Sequence, residues 1–331
     1  MKSKILKKLK RGEFVSGQRI ADELNISRTA VFKHIKALQR EGFVIESVRR
    51  QGYRLVEESK KLHPLVLDKY LKTKFIGRPT LHFDLVASTI NQVMLRAEKA
   101  DEGLVVVAEK QLKGRGRFQR HWESPAGGIW ASILLKPKCP PAEAARMNII
   151  ASLAIAVSIE EVAKIEARIK WPNDVLVGEN NHSPLQKVAG ILTEMVAELD
   201  KINYAILSFG VNVNNPLPAE LQGMAITLKQ ATSRQIDRPL LFAAILNKIE
   251  DYYIDWQTKG FDSILKSWRQ YCSTLGRNVE VINVGVERAV PLQGKALDVD
   301  ENGRLVLQSS DGKKHYLSAG EVSVLPDTDE A

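Results

Sequence analysis

The stretch Lys113-Gly114-Arg115-Gly116-Arg117 alternates cations with glycines and leads to Trp122. Arginine carries a permanent charge and a planar fork of donors suited to carboxylate and phosphate. Glycine lets the backbone approach a ligand closely and take up positive φ. The stretch is therefore suited to folding over an anion, or over two anions that must be brought together. A flexible loop with solvated charges would show the same spacing, because short glycine motifs are weak signals. A strand-like run, Leu104 to Glu109, leads into the loop, and another, Ile129 to Leu135, follows it.

Other residues with chemical potential are spaced along the same region. Ser88 and Thr89 open a helix, and Thr89-x-x-Gln92 fits a capping box. A helix N-terminus is also where hydroxyl and backbone donors hold a polar ligand, and the two roles are compatible. Gln111 stands just before the arginine loop. Lys170-Trp171-Pro172-Asn173-Asp174 interrupts two apolar runs. Asp174 is placed either to help bind a metal–nucleotide or simply to make a turn, for which Pro-Asn-Asp is ordinary. Lys187 begins a buried-looking strand, as an edge gatekeeper or as a charge aimed into a pocket. Gly210-Val-Asn212-Val-Asn214 ends a strand in a polar corner.

The elements that must position these groups fall into three parts. At 331 residues the chain exceeds one ordinary core, so two or three domains are expected. It is 44% hydrophobic and 26% charged, as globular proteins are. The first sixty residues hold 15 Lys and Arg against 7 Asp and Glu, which is +8 of the chain's net +9. That concentration points to a polyanion as partner. In the same part Gln18–Leu24 reads as a helix, Asn25-Ile26 as a tight turn, and Ser27 as the cap of a second helix ending near Arg40. Val31, Ile35 and Leu38 form its buried stripe. Two strands, Phe43–Val48 and Tyr53–Val56, then flank Arg49-Arg50-Gln51-Gly52. This pattern resembles a winged helix-turn-helix. Arg28, Thr29, Lys33 and Lys36 are available to the major groove and its phosphates, and Arg49 and Arg50 sit at the wing tip. Glu57 to Pro64 reads as a linker.

Leu240 to Trp256 is an amphipathic helix, and from Val279 onward short strands recur between turns such as Asp300–Gly303. These read as a small SH3-like barrel. No apolar run approaches the roughly 20 residues that span a bilayer, and the basic N-terminus lacks the features of a signal peptide. A cytoplasmic protein is expected. Cys139 and Cys272 belong to no ligand or redox spacing and read as inert thiols.

Taken in order, these pieces resemble one family closely: Ser88-Thr89, Gln111 with Gly114–Arg117, Trp122 with Ser124-Pro125, Lys170–Asp174, Lys187-Val-Ala-Gly-Ile191, and Gly210–Asn214. They look like the biotin–protein ligases. Together with the winged helix they look like the bifunctional ligases that also repress biotin operons. The resemblance covers essentially the whole chain. It implies an α+β multidomain fold: a winged helix-turn-helix over residues 1–60, a mixed α/β ligase domain of class II synthetase type over 65–272, and an SH3-like barrel over 276–331.

It implies a reaction too. Biotin and ATP give biotinyl-5′-AMP, and the biotin passes to a lysine of a biotin carboxyl carrier protein. The adenylate-bound form is expected to dimerise through the central domain and to bind operator DNA. The alternative is a ligand-responsive regulator with an inactive ligase site. On the resemblance, Lys187, Arg117 and Asp174 are the catalytic candidates. Biotin would contact Ser88, Thr89, Ile90, Gln111, Arg115 and Gly116, together with Arg117, Lys187 and Gly190. ATP would contact Arg117, Lys170, Asn173, Asn212 and Asn214, with Mg²⁺ accompanying it and no protein metal site expected. Three departures stand out. The loop continues Phe118-Gln119-Arg120-His121 where the family often has a further Arg-Gly-Arg, so it is less basic and has one glycine fewer. Ile90 stands where Asn or Asp is common, so its contacts would come from the backbone. Ala225 stands where some members place a large side chain on the adenine.

Overall fold

The computed structural model describes residues 1–9, 12–179, 183–282 and 291–325, so residues 283–290 and 326–331 of the expected barrel lie outside the described residues. The chain divides into two compact units, Met1–Tyr70 and Leu71–Ala331.

The first unit contains three helices and a hairpin: α1 (Lys2–Lys8), α2 (Gly17–Leu24), α3 (Arg28–Arg40), β1 (Val44–Val48) and β2 (Gly52–Glu57). Ser16 and Ser27 cap α2 and α3, each accepting a backbone N–H at 3.1 Å. Asn25 takes the left-handed conformation that turns the chain between them. Ile20, Val31, Ile35 and Leu38 are buried together with Ile5, which brings α1 into the same core. Helix α1 was not foreseen, because its lysines hide a short apolar stripe. Nor is the segment after Glu57 a free linker. Ser59 and Leu62 are buried, the Ser59 hydroxyl donates to the Glu41 carbonyl at 2.7 Å, and α4 (Pro64–Leu67) adds Val66 to the core. Its polar composition disguised two anchoring residues.

The second unit is built on a seven-stranded mixed sheet. Its elements in chain order are β3 (Thr80–Phe83), α5 (Thr89–Met94), β4 (Val105–Ala108), β5 (Ile129–Leu135), α6 (Ala145–Ala163), β6 (Ala167–Lys170), β7 (Asp174–Val177), β8 (Gln186–Ala197) and β9 (Ile202–Val211). The strand order is β3-β4-β5-β9-β8-β7-β6, with only β3 and β4 parallel. Strand β5 is buried along its whole length, as a central strand flanked on both faces must be. Helix α6 is the one helix among the described residues long and apolar enough to cross a membrane, but most of it is buried in the core of this unit. Helices α7 (Leu228–Thr232), α8 (Arg238–Lys259) and α9 (Asp262–Tyr271) follow.

Glu250 on α8 is buried and accepts the backbone N–H groups of Lys74, Phe75 and Ile76. Glu250→Ala leaves three donors without an acceptor. It is expected to destabilise this unit by about 3 kcal/mol, read as a lowered midpoint in urea, with Glu250→Gln recovering part of the loss.

The chain ends in a five-stranded antiparallel sheet of β10 (Asn278–Ile282), β11 (Leu292–Val299), β12 (Leu305–Gln308), β13 (Lys314–Leu317) and β14 (Glu321–Val324), ordered β13-β12-β11-β10-β14. Several contacts fix it to the seven-stranded part, among them the following. Arg269 forks onto Asp298 at 2.7 and 2.9 Å, Arg146 donates to the Glu301 carbonyl at 2.9 Å, and the Trp171 indole donates to the Gly303 carbonyl at 3.0 Å.

Both cysteines carry thiols held in the neutral form. Burial and Glu143 push Cys139 up to about 11, and burial raises Cys272. They are inert, as their spacing suggested.

Candidate functional site

The arginine loop forms part of the wall of a cavity of about 820 Å³, a size suited to a small-molecule ligand. Arg115 and Arg117 line it from this loop. Lys187, Gly190 and Asp174 line it from β8 and β7. Thr89 and Ile90 come from the start of α5, and Gln111, Gly116, Lys170, Asn173 and Asn212 complete the set that sequence reading had placed there. Ser88 and Asn214 are not brought to its wall. Ser88 is buried at the N-cap of α5 with its hydroxyl unpartnered. Asn214 spends its side-chain amide on both backbone groups of Ile236, at 2.8 and 3.0 Å.

The capping box expected at Thr89 does not form. Ser88 holds the cap position and makes no capping bond. The Thr89 hydroxyl is committed to Gln111 Oε1 and to Ser132 instead, at 3.1 and 2.8 Å. The Thr89 backbone N–H also donates to Gln111 Oε1 at 2.8 Å, and Gln111 Nε2 donates to Ser124 at 3.0 Å. Thr89, Gln111, Ser124 and Ser132 thus form a neutral polar network fixed before any ligand arrives.

The lining also carries charge. Lys187 pairs with Asp174 at 2.7 Å, and its ammonium lies 5.1 Å from the centre of the Trp122 ring. Arg115 reaches Asn91 at 3.1 Å and Glu194 at 3.4 Å, while its Nε is buried without a partner. Arg117 donates to the Gly320 carbonyl at 3.2 Å. Burial pushes the Arg117 pKa down, and the carboxylates of Asp174 and Glu321 act in the opposite sense. An arginine in a protein keeps its proton, so Arg117 is a desolvated cation suited to receive an anion.

The loop's backbone differs from expectation. Neither Gly114 nor Gly116 has positive φ; the left-handed residues are Phe118 and Gln119, at φ 55° and 61°. Gly114 is required for a different reason. A Cβ there would meet the Trp122 carbonyl at 2.3 Å, because the loop closes back on itself with Trp122 N–H donating to Gly114 O at 3.0 Å. At Gly116 the nearest atom to an added Cβ is 3.6 Å away.

Trp122 was legible as a motif residue but not as part of the wall. Its indole lies across Gly190 and Gly210, which are register partners on β8 and β9. A Cβ at Gly210 would come within 2.4 Å of the indole nitrogen, and one at Gly190 within 2.9 Å of the ring. Both glycines therefore make a seat for a flat ring. Gly210→Ala is expected to lift the indole and weaken ligand binding by about tenfold, measured by calorimetry, while Gly116→Ala leaves affinity within about twofold.

Sequence reading also missed the contribution of the last strand. Gly320, Glu321 and Val322 line the cavity, and Arg120 forms an ion pair with Glu321. Only folding brings residues so far apart in the chain together. Ala225 lines the wall too, held beside Lys187 by two backbone bonds at 3.1 and 3.0 Å. Among the described residues no group of three or more His, Cys, Asp or Glu side chains could hold a metal.

On the first unit, Arg28, Thr29, Lys33 and Lys36 are exposed on α3, as are Arg49 and Arg50 at the hairpin turn. Phe32, assigned to neither helix face from sequence, is half exposed between them, with the Lys36 ammonium 5.7 Å from its ring centre.

Comparison with known proteins agrees with both surfaces. Residues 83–214 match the Biotin/lipoate A/B protein ligase family, residues 2–54 an HTH domain, and residues 274–325 the Biotin protein ligase C terminal domain. The chain is 40% identical to the bifunctional ligase/repressor BirA of Bacillus subtilis (strain 168), over 93% of each protein. It is 26% identical to the BirA of Escherichia coli (strain K12), over 97% of this chain and 96% of that one. Among solved structures, the biotin protein ligase from Aquifex aeolicus in complex with biotin and ATP aligns with a TM-score of 0.63 at 26% identity. It covers 76% of this chain and 99% of the other.

Proposed function

The chain belongs to the biotin protein ligase family in its bifunctional ligase/repressor form, and from that premise we propose how its residues perform the two tasks. It joins the carboxylate of biotin to the α-phosphate of ATP, releasing pyrophosphate, and passes biotin from the adenylate to a lysine of a biotin carboxyl carrier protein. It also binds operator DNA and represses biotin genes. The observation that carries the ligase reading is a single cavity lined both by the cations Arg115, Arg117 and Lys187 and by the neutral, hydrogen-bonded Thr89–Gln111 pair.

Two anions repel each other, and attack requires them near contact with their charge neutralised. Lys187 takes the biotin carboxylate, exchanging Asp174 for it. Arg117 faces the α-phosphate. Thr89 and Gln111 hold the uncharged ureido ring, and Trp122 supplies an apolar wall. Asn173 and Asn212 stand on the nucleotide side. Asn173 is itself fixed by donating to the Ile191 carbonyl at 2.9 Å. Asp174, released from Lys187, faces the acceptor lysine when the carrier docks. Mg²⁺ would accompany ATP and supply charge neutralisation at its phosphates, in keeping with a cavity that has no group of three or more His, Cys, Asp or Glu side chains among the described residues. The closed loop keeps water from the mixed anhydride.

The exposed cations of α3 and the wing contact operator DNA, with the protein in the cytoplasm. Dimerisation through the central domain on adenylate binding couples the two activities, a population shift driven by the ligand. The ligase half is tested by incubating the protein with biotin, MgATP and a carrier domain and weighing the carrier. A mass gain of one biotinyl group is expected, and an unchanged mass would favour a regulator with an inactive site. Sedimentation and operator binding with and without biotin plus ATP test the coupling. Ligand-independent values for both would remove it.

A further inference from the structure

Three hydroxyls are joined in a hydrogen-bonded chain at the cavity wall. Ser132 on β5 and Ser208 on β9 are register partners, and Thr89 reaches Ser132 from the start of α5. The oxygen–oxygen distances are 2.8 Å for Thr89–Ser132 and 2.9 Å for Ser132–Ser208. Thr89 and Ser208 line the cavity, whereas Ser132 is sealed behind them.

One unambiguous donor orders the protons of the whole line. The Thr89 backbone N–H can only donate, so the Gln111 atom 2.8 Å away is the amide oxygen. That oxygen cannot donate, so the Thr89 hydroxyl gives its proton to it. With that proton spent, the Thr89 oxygen accepts from Ser132. The Ser132 oxygen accepts in turn from Ser208. Every hydroxyl hydrogen is directed along the line toward Gln111. Thr89 and Ser208 are therefore left with lone pairs and no free proton, and this wall accepts hydrogen bonds without donating them.

We propose that Ser208 is a specificity residue of the biotin site, its Oγ accepting one N–H of the cyclic urea. This rests on the reading that biotin occupies the cavity. A cyclic urea presents two N–H donors on one edge, and an acceptor-only wall complements that edge. A ring presenting oxygen there would set lone pair against lone pair and leave both undonated.

The test uses biotin labelled with ¹⁵N at both ureido nitrogens, bound to the full chain and to its Ser208→Ala variant. Ser208→Ala is expected to raise the Kd for biotin about tenfold, with a modestly lowered melting temperature because the buried Ser132 oxygen loses its donor. In the spectrum of the complex one ureido N–H proton should move upfield and the other stay in place. An unchanged Kd overturns the proposal. So does a weaker affinity in which both N–H resonances keep their positions, since Ser208 would then act only through packing. Failure of the underlying reading is distinguishable, because the unaltered chain would then bind no biotin.

Discussion

Lys187→Ala is expected to weaken biotin binding by about two orders of magnitude, and Asp174→Asn placed on top of it to restore roughly a tenth to a half of that loss in free energy. The reasoning starts from the ion pair at 2.7 Å. Removing the ammonium takes away the cation that receives the ligand carboxylate. It also strands the Asp174 carboxylate beside the place the ligand carboxylate must occupy, so a lost attraction is joined by a new repulsion. Both side chains are about a third exposed, which screens the pair and keeps the effect below the loss seen for fully buried pairs. Titration calorimetry with biotin on the two variants measures both numbers. Additive losses in the double variant would mean that Asp174 does not face the ligand carboxylate.

Arg117→Ala is expected to slow adenylate formation by about two to three orders of magnitude while changing biotin affinity by less than about tenfold. The guanidinium is partly desolvated and held against the Gly320 carbonyl. Its charge is positioned before any nucleotide arrives, so little reorganisation is needed when negative charge builds on the α-phosphate. Pyrophosphate exchange separates this step from transfer to the carrier. Arg117→Lys keeps the charge without the fork and should fall between the two. Loss of fold with normal specific activity in the soluble remainder would contradict the assignment.

The parts of the site that were legible beforehand are those where ligand chemistry dictates a residue type. A carboxylate and a phosphate require cations, so the arginine loop and Lys187 stand out even in a bare sequence. The same holds for the winged helix, where α3 has to bury Val31, Ile35 and Leu38 on one face and leaves its charges on another. What could not be read depends on shape or on distance along the chain. Gly190 and Gly210 were legible as motif residues, but not as the paired seat on which the Trp122 ring lies. Gly320 and Glu321 resemble any terminal strand until Arg117 and Arg120 are found against them. Ser208 gives no local signal, because its role comes from its register with Ser132. Thr89 fitted a capping pattern, yet a nearby glutamine competed better for its hydroxyl.

Phe118 and Gln119 carry the loop through two successive left-handed residues. A side chain in that conformation costs roughly 1–2 kcal/mol per residue, which the loop's contacts must offset. Its clasp is the terminal strand, through the grip of Gly320 on Arg117 and of Glu321 on Arg120. The last strand of the chain thus fixes two side chains of a loop encoded two hundred residues earlier.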